Sequence, residues 1–172
     1  MIMSRLFITA DIHGSYSAWS TITEAMNPDD RLAIAGDLFD TVYGSDGHPD
    51  FQPELIRDEL ENLSANRYYV YGNCDSAGFF PNQEMQLAFR FQGFTFLLNH
   101  GHIHLPDLTD FDIIIEGHSH IARLETIMGK VFLNPGSPIF PRKNGPSYAV
   151  FENGSLRIVD AENGQILNSL AL

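Results

Sequence analysis

The sequence predicts an α/β fold in which two mixed β-sheets pack as a sandwich flanked by helices. Two observations carry this expectation. Residues 5–71 alternate short apolar runs with amphipathic stretches in the order β-α-β-α-β, the pattern of parallel strands with covering helices. The later residues hold period-two segments punctuated by Gln92-Gly93, Gly129-Lys130, Asn153-Gly154 and Asn163-Gly164, which add antiparallel hairpins.

Each element follows from local chemistry. Arg5 to Ala10 is an apolar run that stops at Asp11-Ile-His-Gly14, and Gly14 permits a tight turn. Ser15 or Ser17 caps a helix running to about Met26, with Ala18, Ile22 and Ala25 on one face. Arg31 to Ala35 is a second strand ending at Gly36-Asp37. Residues 41–53 read as a loop rich in glycine, proline and polar residues, placed to shape access to a site. A helix is expected from Pro53 to Asn66, with Leu55, Leu60 and Leu63 on its buried side. Arg67 to Tyr71 is a third strand, ending at Gly72-Asn73. Met85, Leu87, Phe89 and Phe91 alternate as in a half-buried strand, and Phe94 to Leu98 returns to Asn99-His100. Asp112 to Ile115 is continuously apolar after its first residue, which suits a strand buried on both faces, and it ends at Glu116-Gly117-His118.

The chain of 172 residues suits one domain, 1–172, with a sizeable core. No apolar run is long enough to span a bilayer, so no membrane partner is expected. The first eleven residues carry only Arg5 as a basic residue and read as a strand rather than a signal peptide. The single cysteine, Cys74, excludes an internal disulfide and fits a cytoplasmic protein. A formal net charge of −12 repels phosphate backbones and argues against a long nucleic-acid partner. The C-terminal hairpins present an edge that would allow pairing into a homo-oligomer.

Five strand-like segments end in residues able to bind metal: Asp11 and His13, Asp37, Asn73, His100, then His118 and His120. Ligands in α/β folds gather at the carboxyl ends of strands. A glycine stands beside each block, at positions 14, 36, 72, 101 and 117, where it lets the chain turn and lets a ligand approach. Mixed carboxylate, imidazole and amide donors suit Mn²⁺, Fe²⁺, Co²⁺, Ni²⁺ or Zn²⁺ rather than Ca²⁺. Seven donors exceed what one catalytic ion with open positions needs, and they suit two ions sharing Asp37.

In order, Asp11-Ile-His13, Gly36-Asp-Leu-Phe-Asp40, Gly72-Asn-Cys-Asp75, Asn99-His-Gly101 and Gly117-His-Ser-His120 resemble the motifs of the calcineurin-like metallophosphoesterase superfamily. With Gly-Asn-Cys-Asp and Asn134-Pro-Gly-Ser137, the chain is most similar within it to the YfcE-type bacterial phosphodiesterases. The resemblance implies a four-layer fold of two mixed sheets and helices. It implies two divalent metal ions, foremost Mn²⁺: Asp11, His13 and His120 on one, Asn73, His100 and His118 on the other, and Asp37 between them. The implied activity is hydrolysis of a small phosphodiester by in-line attack of a metal-bridging hydroxide.

Many members of the superfamily place a proton-donating histidine where this chain has Cys74. A thiol with an ordinary pKa of about 8.5 protonates a leaving group less readily at neutral pH than an imidazole near about 6.5. His102 is the candidate substitute, and a preference for good leaving groups is expected. Asp40 and Asp75 would orient ligands or cap turns. Ser137 would touch phosphate or merely close a turn. His48 and His104 read as solvated loop residues, and Trp19 as core. Two other functions compete: a phosphomonoesterase or protein phosphatase with the same centre, and a non-catalytic scaffold of the same fold.

Overall fold

The computed structural model describes residues 4–44, 49–63 and 66–172. His48 and part of the 41–53 loop therefore lie outside the described residues. Two mixed sheets are present. The six-stranded sheet has the order β11-β10-β9-β1-β2-β3, and the five-stranded sheet has the order β4-β5-β6-β8-β7.

In the first sheet, β1 (Leu6–Thr9), β2 (Arg31–Ala35) and β3 (Arg67–Val70) run parallel, as the β-α-β-α-β order requires. The helices α1 (Tyr16–Thr23) and α2 (Pro53–Asn62) make the crossovers. β9 (Ser147–Glu152) joins the other side of β1 antiparallel, followed by β10 (Ser155–Asp160) and the edge strand β11 (Ile166–Ala171). In the second sheet, β4 (Gln86–Phe91) and β5 (Phe94–Asn99) form a hairpin. β6 (Ile113–Ile115) pairs parallel with β5 and with β8 (Lys130–Asn134), which forms a hairpin with β7 (Arg123–Ile127). The turns Gln92-Gly93, Met128-Gly129 and Asn153-Gly154 each place both residues at positive φ, the geometry that matches the twist of a two-residue hairpin.

β1 is buried on both faces, and its first three residues, Leu6, Phe7 and Ile8, are apolar accordingly. Leu6 and Ile8 point between the sheets, whereas Phe7 points toward the helices. Phe89 and Phe96 stack at 5.0 Å, and Phe96 meets Phe151 of the other sheet edge-on at 5.4 Å. Cutting a fully buried phenylalanine such as Phe96 to alanine costs about 3–5 kcal/mol. Trp19, Ile22, Ile56 and Leu60 fill the helix-facing core, and the Trp19 indole N–H donates to Glu59 at 2.7 Å.

Both helices are shorter than the sequence suggested. Ser15 caps α1, its hydroxyl accepting from the Ala18 N–H, but Ala25 lies beyond the helix and is exposed. On α2 the buried side is Pro53, Ile56 and Leu60; Leu55 is 44% exposed, one residue out of phase with that stripe. Among the described residues the two helices, α1 and α2, both lie in the crossovers of the six-stranded sheet. The β5–β6 connection is irregular, with Pro106 in it, and the β6–β8 connection is made by a strand.

Candidate metal centre

The loops after β1, β2, β3, β5 and β6 meet at one end of the sandwich. The loop after β1 is stitched to the loop after β2: Asp11 N–H donates to Gly36 O at 3.1 Å, His13 N–H to Asp37 O at 2.9 Å, and Gly14 N–H to Leu38 O at 2.8 Å. Asp11, His13, Asp37, His118 and His120 all hold φ between 50° and 66°. A non-glycine residue in this left-handed region costs roughly 1–3 kcal/mol and persists only where its surroundings hold it there. Five of the seven sequence-predicted donors share this strain, a signal no residue type announces.

Their side chains converge. Asp11, His13 and His120 bring donor atoms within 4.8 Å of one another, and so do Asp37, His100 and His118. Asp37 connects the two groups. Its Oδ2 lies 3.1 Å from His100 Nε2 and 3.9 Å from His13 Nε2, while its Oδ1 accepts the Cys74 N–H at 2.8 Å. Asn73 Oδ1 lies 3.1 Å from His100 Nε2. Asp11 Oδ1 is 3.4 Å from His120 Nε2 and 3.9 Å from His13 Nε2. Two glycines make this closeness possible. A Cβ on Gly72 would fall 2.0 Å from Asp37 Oδ1, and one on Gly36 would fall 2.6 Å from His100 Nδ1.

Three of the four imidazoles are held from behind. His13 Nδ1 donates to Asp40 at 3.0 Å, His100 Nδ1 to Ala35 O at 2.7 Å, and His120 Nδ1 to Phe140 O at 2.8 Å. These bonds leave each Nε2 as the inward acceptor, the arrangement that prepares histidine for a metal. Asp40 thus orients a ring rather than capping a turn. Asp75 instead supports the backbone, accepting from Gly72 N–H at 3.0 Å and Phe39 N–H at 3.0 Å. Ser137 is fully buried and donates to Asp11 O at 2.8 Å, so it fixes the loop after β1 and has no proton to offer a phosphate.

The donor set fits divalent cations. Asp11 Oδ1 and His13 Nε2 are buried without a hydrogen-bond partner, although they lie in the middle of the cluster. Buried acceptors left unpaired cost free energy, and a cation among them supplies the missing partner. Without one, burial pushes the Asp11 carboxyl up to about 7, with the Asp37 charge adding to the rise against the pull of His100. Asp37 is also buried, yet the hydrogen bond and charge of His100 hold it down at about 2. Burial lowers His118 and His120, the charges of His100 and His13 respectively contributing.

The two residues considered as proton donors adjoin the cluster. Cys74 is buried, its sulfur accepts from Asn73 Nδ2 at 3.3 Å, and burial with the nearby Asp37 charge pushes its thiol well up. The His102 ring lies 5.2 Å from that of His100 and 6.2 Å from that of His118, and burial with the His100 charge lowers it. His104 is exposed, as expected, and only its carbonyl is engaged, by Gln86. A cavity of about 310 Å³ adjoins the site, lined by His118, Glu116, Ser119 and Arg123 among others. Sequence reasoning missed Phe140, whose carbonyl steadies His120. It also missed the role of Asn134, whose amide braces Gly117 O at 2.7 Å and Ser119 Oγ at 3.1 Å.

A fold of two mixed sheets with this cluster at the strand ends defines a metallophosphoesterase. The chain matches the calcineurin-like phosphoesterase superfamily domain over residues 4–155 and belongs to that superfamily. It is 27% identical to phosphodiesterase YfcE of Escherichia coli over 183 aligned positions, covering 99% of both chains. It is 35% identical to the probable metallophosphoesterase YsnB of Bacillus subtilis, covering 94% of each. The solved structure of the Escherichia coli YfcE phosphoesterase superposes with a TM-score of 0.83 at 26% identity, over 97% of this chain and 98% of that one. Vacuolar protein sorting 29 from Cryptosporidium parvum shares the fold, with a TM-score of 0.72 at 20% identity over the whole of both chains. No helix among the described residues is long and apolar enough to cross a membrane.

Proposed function

We propose that the chain is a metal-dependent phosphodiesterase that hydrolyses small phosphodiesters at a pair of divalent ions. The observation that carries this reading is the position of Asp37 Oδ2 between His13 and His100, with the complete donor set around it. Asp11, His13 and His120 would hold one ion, Asn73, His100 and His118 the other, and Asp37 both. Mn²⁺ is the favoured metal, since carboxylate, amide and imidazole donors together suit it. When bound, such a pair supplies an activated water and Lewis acidity toward phosphate oxygens.

The remaining steps belong to the chain. Asp40, Ala35 and Phe140 keep three imidazoles in the tautomer that presents Nε2. Neither Cys74 nor His102 is a strong proton donor at neutral pH, because the thiol is held up and the imidazole is held down. Esters with good leaving groups are therefore the favoured substrates. A diester is preferred to a dianionic monoester because cations near the site are few. Arg123 is already paired with Glu116 at 2.7 Å and Glu125 at 3.2 Å, which leaves Arg142, whose backbone N–H donates to His120 O at 3.1 Å, as the cation beside the cluster. The name of the Escherichia coli relative, a phosphodiesterase, points the same way. The lone buried cysteine favours the cytoplasm.

The test is direct. Metal-stripped protein is assayed on bis(p-nitrophenyl) phosphate and on p-nitrophenyl phosphate after Mn²⁺, Ni²⁺, Zn²⁺ or Mg²⁺ is restored. Faster turnover of the diester with Mn²⁺ is expected. Preference for the monoester would replace the reading with a phosphatase, and no turnover with any metal would replace it with a scaffold.

A further inference from the structure

Among the described residues, Tyr43 and Phe140 are the large aromatic side chains left exposed. Both stand on loops that border the metal cluster. Tyr43 follows Val42, whose N–H donates to Cys74 O at 3.1 Å. Phe140 is closer still: its ring meets that of His13 edge-on, with centroids 5.7 Å apart, yet it is 56% exposed.

The backbone of Phe140 is pinned at both ends to the centre. Its N–H donates to Ser137 Oγ at 2.9 Å, and the same hydroxyl donates to Asp11 O. Its carbonyl accepts from His120 Nδ1. Pro138 and Pro141 on either side restrict the loop further. An apolar ring so placed gains little from burial in the free protein. It is held in advance, at little entropic cost on binding, where a flat group attached to a phosphate at the metal cluster would lie. Aromatic faces accept any nucleobase or aryl ring by stacking, whatever its hydrogen-bonding edge.

Resting on the diesterase reading, we propose that Phe140 is a stacking platform for one ester substituent. The substrates would then be phosphoesters bearing a flat aromatic group, a nucleobase or an aryl ring, rather than simple alkyl esters.

The test measures binding to Mn²⁺-loaded protein by titration calorimetry with two pairs of monoesters. Adenosine 5′-monophosphate is compared with ribose 5-phosphate, and phenyl phosphate with methyl phosphate. In each pair the aromatic member should bind the wild type at least about fivefold more tightly. The first pair reports a nucleobase and the second a bare aryl ring. Phe140→Ala should bring both ratios to within about twofold, each ratio being read within one Mn²⁺-loaded sample so that a change in metal affinity cancels. Phe140→Leu keeps the apolar bulk and should lose the preference too, whereas Phe140→Trp should keep it. A wild type without either preference, or a preference that survives in Phe140→Ala, would overturn the proposal. Turnover of bis(p-nitrophenyl) phosphate is followed on the same samples. Stacking without turnover would refute the diesterase reading alone, and turnover without stacking would refute the platform alone.

Discussion

Asp37 and Cys74 are joined through the backbone: the Cys74 N–H donates to Asp37 Oδ1 at 2.8 Å. That bond uses one carboxylate oxygen and turns the other, Oδ2, toward His13 and His100. The residue at position 74 therefore has two separable parts. Its N–H helps aim the shared carboxylate, and its side chain adjoins the site.

Because the aiming bond is a backbone bond, a side-chain change at position 74 preserves it. Cys74→His should add a proton donor to a site that lacks a strong one. Turnover of diesters with poor leaving groups should rise by about tenfold or more, up to the roughly hundredfold at the low end of what a positioned general acid contributes. Bis(p-nitrophenyl) phosphate, whose leaving group needs little help, should change far less. Comparison of kcat across a series of substituted phenyl esters measures this. An equal effect on good and poor leaving groups would refute it.

The buried Asp11 makes metal loading depend on pH. In the metal-free protein its carboxyl is raised to about 7, so it holds a proton below that pH. His118 and His120 are lowered, whereas His100, against the pull of its burial, is raised by the hydrogen bond and charge of Asp37. A metal must displace the protons held by Asp11 and His100, so affinity should fall as pH drops below about 7, by roughly tenfold or more per unit. Calorimetric Mn²⁺ titrations between pH 5.5 and pH 8.5, on the order of the window set by this shift, test the sign. Affinity independent of pH would mean that Asp11 gives up no proton to bind.

Gly72 makes a steric prediction. A methyl group there would fall 2.0 Å from Asp37 Oδ1 and 2.4 Å from its backbone nitrogen. Gly72→Ala should push the carboxylate away from Cys74, cost about 1–3 kcal/mol of stability, and weaken metal binding by about tenfold or more. Urea unfolding and Mn²⁺ titration measure the two effects. Metal affinity equal to wild type would show that the close approach is not needed to place Asp37.

The parallel β-α-β-α-β opening, the later hairpins and the meeting of the donors were legible because all are written in local pattern. Apolar runs ending in Asp11, Asp37, Asn73, His100 and His118 mark strand ends, and strand ends in such folds share one edge. Ser137 was harder, because Pro-Gly-Ser reads equally well as a turn or as a phosphate contact, and only the Asp11 carbonyl beside it decides. Leu55 was misplaced because apolar residues at 55, 56, 60 and 63 allow two neighbouring phases. Phe140 carries no motif. Its importance lies in a carbonyl that meets His120, twenty residues away, and in an exposed ring that meets His13.

The central claim is that Asp37 serves two ions at once. Metal-stripped protein titrated with Mn²⁺, and then analysed for bound metal after gel filtration, tests it most directly. Two Mn²⁺ per chain are expected in the wild type. Asp37→Asn should lose at least one ion and the diesterase activity, while remaining folded by circular dichroism. A wild type that saturates with a single ion, or an Asp37→Asn variant that keeps two, would contradict the account.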